Sequence, residues 1–190
     1  MNAYPELTAA LQTMLDRMDA SLRAGGYAGP PIVMYLAGGV AVNYWCGTRY
    51  TEDVDAHFSR RFVLPADLTV NYRRSDGREA FIYFDPNYNT SFALLHPDFE
   101  ENSGPWEGIG NEHRLVHLHV LQPLDLAVSK LSRFSEQDRL DIQALAALRV
   151  FTGAELRKHA LAAMSNYVGD KRPLTTSLEL ACQRIEAAAR

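Results

Sequence analysis

Apolar residues first recur along the chain at Leu7, Leu11, Met14, Leu15, Met18 and Leu22. Steps of three and four place them on one face, so residues 5–24 are expected to form an amphipathic helix. Pro5 suits its first turn and Gly25-Gly26 ends it. After a short linker over 27–31, the continuous apolar run from Ile32 to Ala37 reads as a buried strand leading into Gly38-Gly39. Val40 to Cys46 then suits a short helix with Gly47 as its stop, and Glu52 to Phe58 alternates as a strand does. Leu68–Arg73 and Glu79–Phe84 are two more strands, with the hairpin signal Asp76-Gly77 between them. Thr90–Leu95 and Leu115–Leu121 are further strand candidates, separated by a loop, Pro97 to His113, rich in Gly, Pro, Asn and acids. From Pro123 the pattern becomes helical, with Ser135 and Thr152 as N-caps and Thr152 with Glu155 as a capping box. The expectation is an α/β (α+β) chain: a mixed sheet with flanking helices over residues 1–122, and a helical C-terminal region, 123–190, that completes its cleft.

Composition narrows the class. Of 190 residues, 47% are hydrophobic and 22% charged, which supports a packed core and argues against a disordered chain or a rod. The net charge of −4 excludes a bulk electrostatic binder of nucleic acid, so any RNA contact would come from local basic patches. The longest apolar run, Ile32 to Cys46, is too short and too interrupted by Gly38, Gly39 and Asn43 to cross a membrane. Acidic residues Glu6, Asp16 and Asp19 near the start do not suit a signal peptide. Two cysteines, Cys46 and Cys182, make neither a disulfide framework nor a zinc-finger set, and a cytoplasmic location is expected.

The informative stretch is Tyr35-Leu36-Ala37-Gly38-Gly39, then thirteen residues, then Asp53-Val54-Asp55. In a strand, residues i and i+2 face one side, so Asp53 and Asp55 project together while Val54 enters the core. Two neighbouring carboxylates repel unless a cation lies between them, and Mg²⁺ prefers one or two carboxylates with waters and phosphate oxygens. Glycines without Cβ atoms let a phosphate approach backbone N–H groups, and the following helix adds the positive end of its dipole. A glycine turn facing an acidic pair is thus suited to a Mg-nucleotide. Singly, a Gly-Gly pair is a plain strand-to-helix turn and Asp-x-Asp a solvated edge; the combination carries the reading.

These residues resemble the DNA polymerase β-like nucleotidyltransferase superfamily, whose motif is an apolar residue, Gly, then Gly or Ser, a gap of this length, and Asp-x-Asp. Here Ala37-Gly38-Gly39 and Asp53-Val54-Asp55 match it. Arg49-Tyr50-Thr51-Glu52 is similar to the entry into Asp-x-Asp in small nucleotidyltransferases of bacterial toxin–antitoxin and phage-defence loci, the AbiEii-like group. Pro123-Leu124-Asp125 through Lys130, followed by Asp138-Arg139-Leu140-Asp141, resembles that group's helical motif. The resemblance implies Mg²⁺ on Asp53 and Asp55, and a nucleotide site that includes Gly38, Gly39, Arg49, Thr51 and Lys130. It implies transfer of a nucleoside monophosphate from an NTP to an acceptor hydroxyl on RNA (tRNA) or protein, and an antitoxin as a possible partner. Lys130 would place positive charge on the phosphates, and Asp125 or Asp138 would orient it or act as base. The third carboxylate of many relatives has no counterpart on the expected strand 90–96; Asp85 and Asp98 only flank it. A nucleotidyltransferase-like module that binds nucleotide or a partner without turnover is the alternative.

The remaining polar residues have plainer readings. Asp138 suits the N-terminus of a helix capped by Ser135, and Lys130 with Arg133 a solvated basic face. His57, His96, His117 and His119 read as structural or solvent-facing; Arg60, Arg61, Arg73, Arg74 and Arg78 as solvated turns before RNA contacts; and Trp45 and Trp106 as packing residues.

Overall fold

The structure, a computed structural model, describes residues 5–47, 50–88 and 93–188. Two compact units divide the chain, one of residues 1–88 with 104–120 and the other of 89–103 with 121–190.

In the first unit, helix α1 (Pro5–Ala24) buries Leu7, Leu11, Met14, Leu15, Met18 and Leu22, the face set out by the apolar spacing. Gly26, at φ 71°, turns the chain out of it. One buried acid on this face does directional work. Asp19 Oδ1 accepts the N–H groups of Leu115 at 3.0 Å and Val116 at 2.9 Å, which fixes the start of a strand to the helix. Strand β1 (Ile32–Leu36) runs into helix α2 (Gly38–Cys46), and Gly47, left-handed at φ 64°, closes that helix.

The single strand expected over 52–58 is two short ones, β2 (Asp53–Val54) and β3 (Ala56–Phe58), which belong to different sheets. The alternation nevertheless runs through the break: Val54 and Ala56 are buried, whereas Asp53, Asp55 and His57 are not. The chain changes sheets at Asp55. A hairpin follows, β4 (Val70–Arg73) and β5 (Glu79–Phe84), antiparallel, with Gly77 at φ 84° in its turn. A two-residue strand β6 (Gly104–Pro105) and β7 (Val116–Val120) complete this unit.

Both sheets are mixed. One has the order β3-β1-β7-β6, with β1 parallel to β7 and antiparallel to β3; the other has the order β2-β5-β4, with β2 parallel to β5. Trp106, buried, packs on Tyr44 with ring centroids 4.4 Å apart, as a core residue.

The second unit is helical: α3 (Phe99–Asn102), α4 (Pro123–Ser129), α5 (Glu136–Ala147), α6 (Gly153–Ser165) and α7 (Arg172–Ala188). Its core holds Leu126, Val128, Leu131, Leu145, Leu156 and Leu178. Ser135 and Thr152 cap α5 and α6, each in a reciprocal capping box with Asp138 and Glu155 respectively. The strand expected over 90–95 does not extend into its described part: residues 93–95 have no strand structure, and 90–92 lie outside the described residues. Leu94 is buried, so the apolar signal there comes from burial of an irregular segment.

Candidate active site

The first unit brings the two halves of the glycine–carboxylate motif together. β1 and β3 pair with Leu36 opposite Ala56, and the Ala37 N–H donates to the Asp55 carbonyl at 2.8 Å. This sets Asp55 beside the β1–α2 turn. Gly38 sits there at φ +60°, and a Cβ built on it would lie 2.7 Å from Asp55 Cγ and 2.8 Å from Asp55 Cβ. The position therefore needs glycine twice over, for the left-handed backbone and for the space taken by the carboxylate. The N-cap residue of α2, Ala37, makes no side-chain cap bond. The first N–H groups of a helix have no intrahelical acceptor, so this turn offers donors on the side where Asp55 lies.

Asp53 belongs to the other sheet, where β2 registers it opposite Tyr83 of β5. The Tyr83 hydroxyl donates to the Asp53 carboxylate. That bond, with the negative charges of Asp53, Asp85 and Glu52, pushes the phenol up to about 12. Asp85, the residue after β5, donates its N–H to the Val54 carbonyl at 3.1 Å. It thus joins the backbone between the two acids of the motif, and its Oδ1 accepts the Asn87 N–H at 2.8 Å. Sequence spacing left Asp85 only flanking an expected strand. The signal that could have found it was the hairpin, because β5 lies parallel to β2 and ends beside it. Tyr88 completes the surroundings. Burial, and then the charge of Asp55, push its phenol up strongly, and its hydroxyl is buried with no hydrogen-bond partner among the described residues.

Thr51 is half-buried two residues before β2, while Arg49 lies outside the described residues. The arginines of the hairpin tip have local partners. Arg73 bonds Glu79 at 2.6 Å, Arg78 lies 3.7 Å from Asp76, and the Arg74 guanidinium sits 3.8 Å over the Tyr50 ring. His57 and His119 flank Tyr35 across the sheet at 6.3 and 5.9 Å between ring centroids.

Lys130 and Asp138 belong to the helical unit and form a buried ionic cluster. Lys130 Nζ lies 3.1 Å from Asp141 Oδ2 and 3.6 Å from Asp138 Oδ1. Asp138 also accepts two bonds from Arg133, both at 2.8 Å, and bonds from the Ser135 N–H and hydroxyl. Burial pushes its carboxyl upward, but the bonds from Arg133 and Ser135 and the Lys130 charge outweigh burial and hold it well below the usual carboxylate range. Such a carboxylate is a weak base; what it does here is cap α5 and hold Lys130. Asp125, also buried, is engaged elsewhere, by Asn102 and His159.

A strand–glycine turn–helix with carboxylates on the adjoining strand ends is the arrangement of a nucleotidyltransferase-like α+β protein. The family profile described as "Nucleotidyltransferase of unknown function (DUF6036)" matches residues 31–189, and the chain belongs to that family. The match takes in the glycine turn, both motif acids and the helical unit up to its last helix. A comparison with curated proteins gives no match.

Proposed function

We propose that the chain transfers a nucleoside monophosphate from an NTP to an acceptor hydroxyl, with Mg²⁺ held by Asp53 and Asp55. The observation that carries this reading is the Asp55 carboxylate filling the space a Gly38 Cβ would need. It sets one acid of the second motif against the glycine turn of the first, thirteen residues earlier in the chain. Three features suit a hard cation and an anion side by side: oxygen-only donors on Asp53 and Asp55, a helix start whose N-cap is an alanine, and a Tyr88 hydroxyl with no partner among the described residues. When bound, Mg²⁺ would supply charge neutralisation for the phosphates. The residues of the chain do the rest. Gly38 and Gly39 present backbone donors to phosphate oxygens, and Thr51 and Arg49 precede the acids at the entry. Asp85 is the third carboxylate and takes the acceptor proton. The acceptor oxygen bonds the α-phosphorus as the bond to the β-phosphate oxygen breaks, and pyrophosphate leaves.

The phosphate role of Lys130 is supported by the family resemblance; its contacts support Asp138 as the residue that positions it. An RNA end, tRNA included, or a protein hydroxyl is the acceptor class, and the role of a toxin held by an antitoxin partner follows from the same resemblance. The paired arginines at the hairpin tip favour an acceptor recognised locally over one held by a broad basic surface.

The test supplies purified protein with Mg²⁺, each of four α-labelled NTPs, and either total RNA or extract protein. Label should enter one acceptor class. It should fall at least about a hundredfold in the double variant Asp53→Ala, Asp55→Ala and at least about tenfold in Asp85→Ala. Mg-dependent NTP binding without label in either acceptor would instead identify a silent nucleotide-binding module.

A further inference from the structure

We propose that His96, Asp125 and His159 form a second metal site, for a first-row divalent transition ion of the Zn²⁺ class, independent of the carboxylates at the glycine turn. The three residues come from separate pieces of the helical unit: the irregular segment before α3, the first turn of α4 and the middle of α6. Folding gathers one ligand atom from each so that all lie within 4.8 Å of one another. A four-coordinate Zn²⁺ with bonds of about 2.0–2.1 Å separates its ligand atoms by roughly 3.4 Å, so closing on an ion needs the ligand atoms to draw together and one imidazole ring to rotate.

The chemistry of each ligand is arranged for this. Asp125 is 1% exposed, and a carboxylate so buried needs a positive or donating partner. One oxygen faces His159 Nε2 at 2.7 Å, and the other accepts Asn102 Nδ2 at 3.3 Å. Asn102 would orient the ligand from behind, as outer partners do at metal sites. The His96 and His159 rings stack at 3.8 Å between centroids and 8° between planes. Imidazole lone pairs lie in the ring planes, so one ring must turn out of this stack for both histidines to meet one cation. His96 Nδ1 lies 3.2 Å from the Asp98 N and 3.8 Å from the Asp98 carboxylate. The Asp98 N–H donates to Nδ1, so in the neutral ring the proton sits on Nε2; binding a metal through Nε2 moves that proton to Nδ1, where it faces the Asp98 carboxylate in place of the Asp98 N–H. The proton between His159 Nε2 and Asp125 leaves when the ion binds.

The donor set selects the ion. Two nitrogens and one oxygen suit Zn²⁺, Co²⁺ or Ni²⁺, while Mg²⁺ prefers oxygen alone. His96 also lines a cavity of about 220 Å³ with Leu94, Phe99 and Tyr167, which gives an ion or an exchangeable fourth ligand a way in. Three protein ligands leave that fourth position open.

The experiment titrates Zn²⁺ and Co²⁺ into the chelator-treated, untagged full chain by calorimetry and visible absorption, with thermal melting alongside. One equivalent should bind, with tetrahedral-type Co²⁺ bands and a rise in Tm, and millimolar Mg²⁺ should not displace it. His96→Ala and His159→Gln should each weaken binding at least about tenfold and abolish the Tm rise. The glutamine keeps an amide donor toward Asp125, so that the fold survives. His117→Ala and the double variant Asp53→Ala, Asp55→Ala should bind as the parent does, which separates this site from the nucleotidyl-transfer reading. Absence of stoichiometric binding, affinity unchanged from the parent in His96→Ala and His159→Gln, or loss only in His117→Ala would each overturn the proposal. Asp125–His159 would then be a hydrogen-bonded pair and nothing more.

Discussion

At the scale of single residues, Gly38 is where backbone and site chemistry meet. Gly38 and Gly77 both have positive φ, at 60° and 84°, but a Cβ on Gly77 meets nothing within 4 Å. Gly77→Ala should therefore lower stability by about 1–2 kcal/mol, the left-handed backbone cost alone. Gly38→Ala should cost more, because the Asp55 carboxylate must also move; urea unfolding of the two variants gives the comparison. Tyr83 supplies a second reading of the same place. Its phenol is held at about 12 by donation to Asp53. Asp53→Asn removes the charge that favours the neutral phenol, so the phenol should fall toward its ordinary value of 10.0. Added Mg²⁺ should act in the same direction by neutralising Asp53. Ultraviolet titration against a Tyr83→Phe reference isolates this one of nine tyrosines.

At the scale of elements, what the sequence made legible was whatever local spacing controls. Helix α1, the α2 stop at Gly47, the β4–β5 hairpin and both N-caps each depend on neighbours within a few residues. The split at Asp55 was not legible, because alternation in burial is the same whether 53–58 is one strand or two in different sheets. Asp85 stands out in the sequence only as an acid flanking an expected strand, for a related reason: its place beside Val54 comes from the parallel pairing of β2 with β5, which no local pattern encodes. Asp138 was legible as a cap and, through the family resemblance, as a residue that orients Lys130, but not its burial in a cluster with Arg133 and Asp141. That cluster ties α4 to α5 and has a pH signature. Because the carboxyl is held below its unfolded value near 4, the unfolded chain binds the extra proton first as pH falls. The stabilisation is fully present above about pH 4 and is lost progressively below it. Asp138→Asn should be less stable at pH 7 and show a shallower loss between pH 4 and 2, measured by chemical denaturation across that range.

At the scale of the whole molecule, chain order and compactness divide the protein differently. The hydrophobic pattern changes from α/β to helical at Pro123, yet the compact helical unit also takes in residues 89–103. The reason lies in side chains that segment buries: Leu94 is 1% exposed, His96 stacks on His159, and Asn102 bonds the buried Asp125. A chain cut after residue 122 would strip 93–102 of these partners and leave Leu94 and Phe99 to solvent, in a segment with too little regular structure to bury them alone. The fragment 1–122 should therefore be cleaved by a low concentration of protease within 93–103, while the same bonds in the full chain resist. Adding the separately produced 123–190 piece should restore protection if it folds, since the contacts are non-covalent and confined to one unit. Equal protection of 93–103 in the fragment and the full chain would assign that segment to the α/β unit instead. The boundary between the two units would then fall at Pro123.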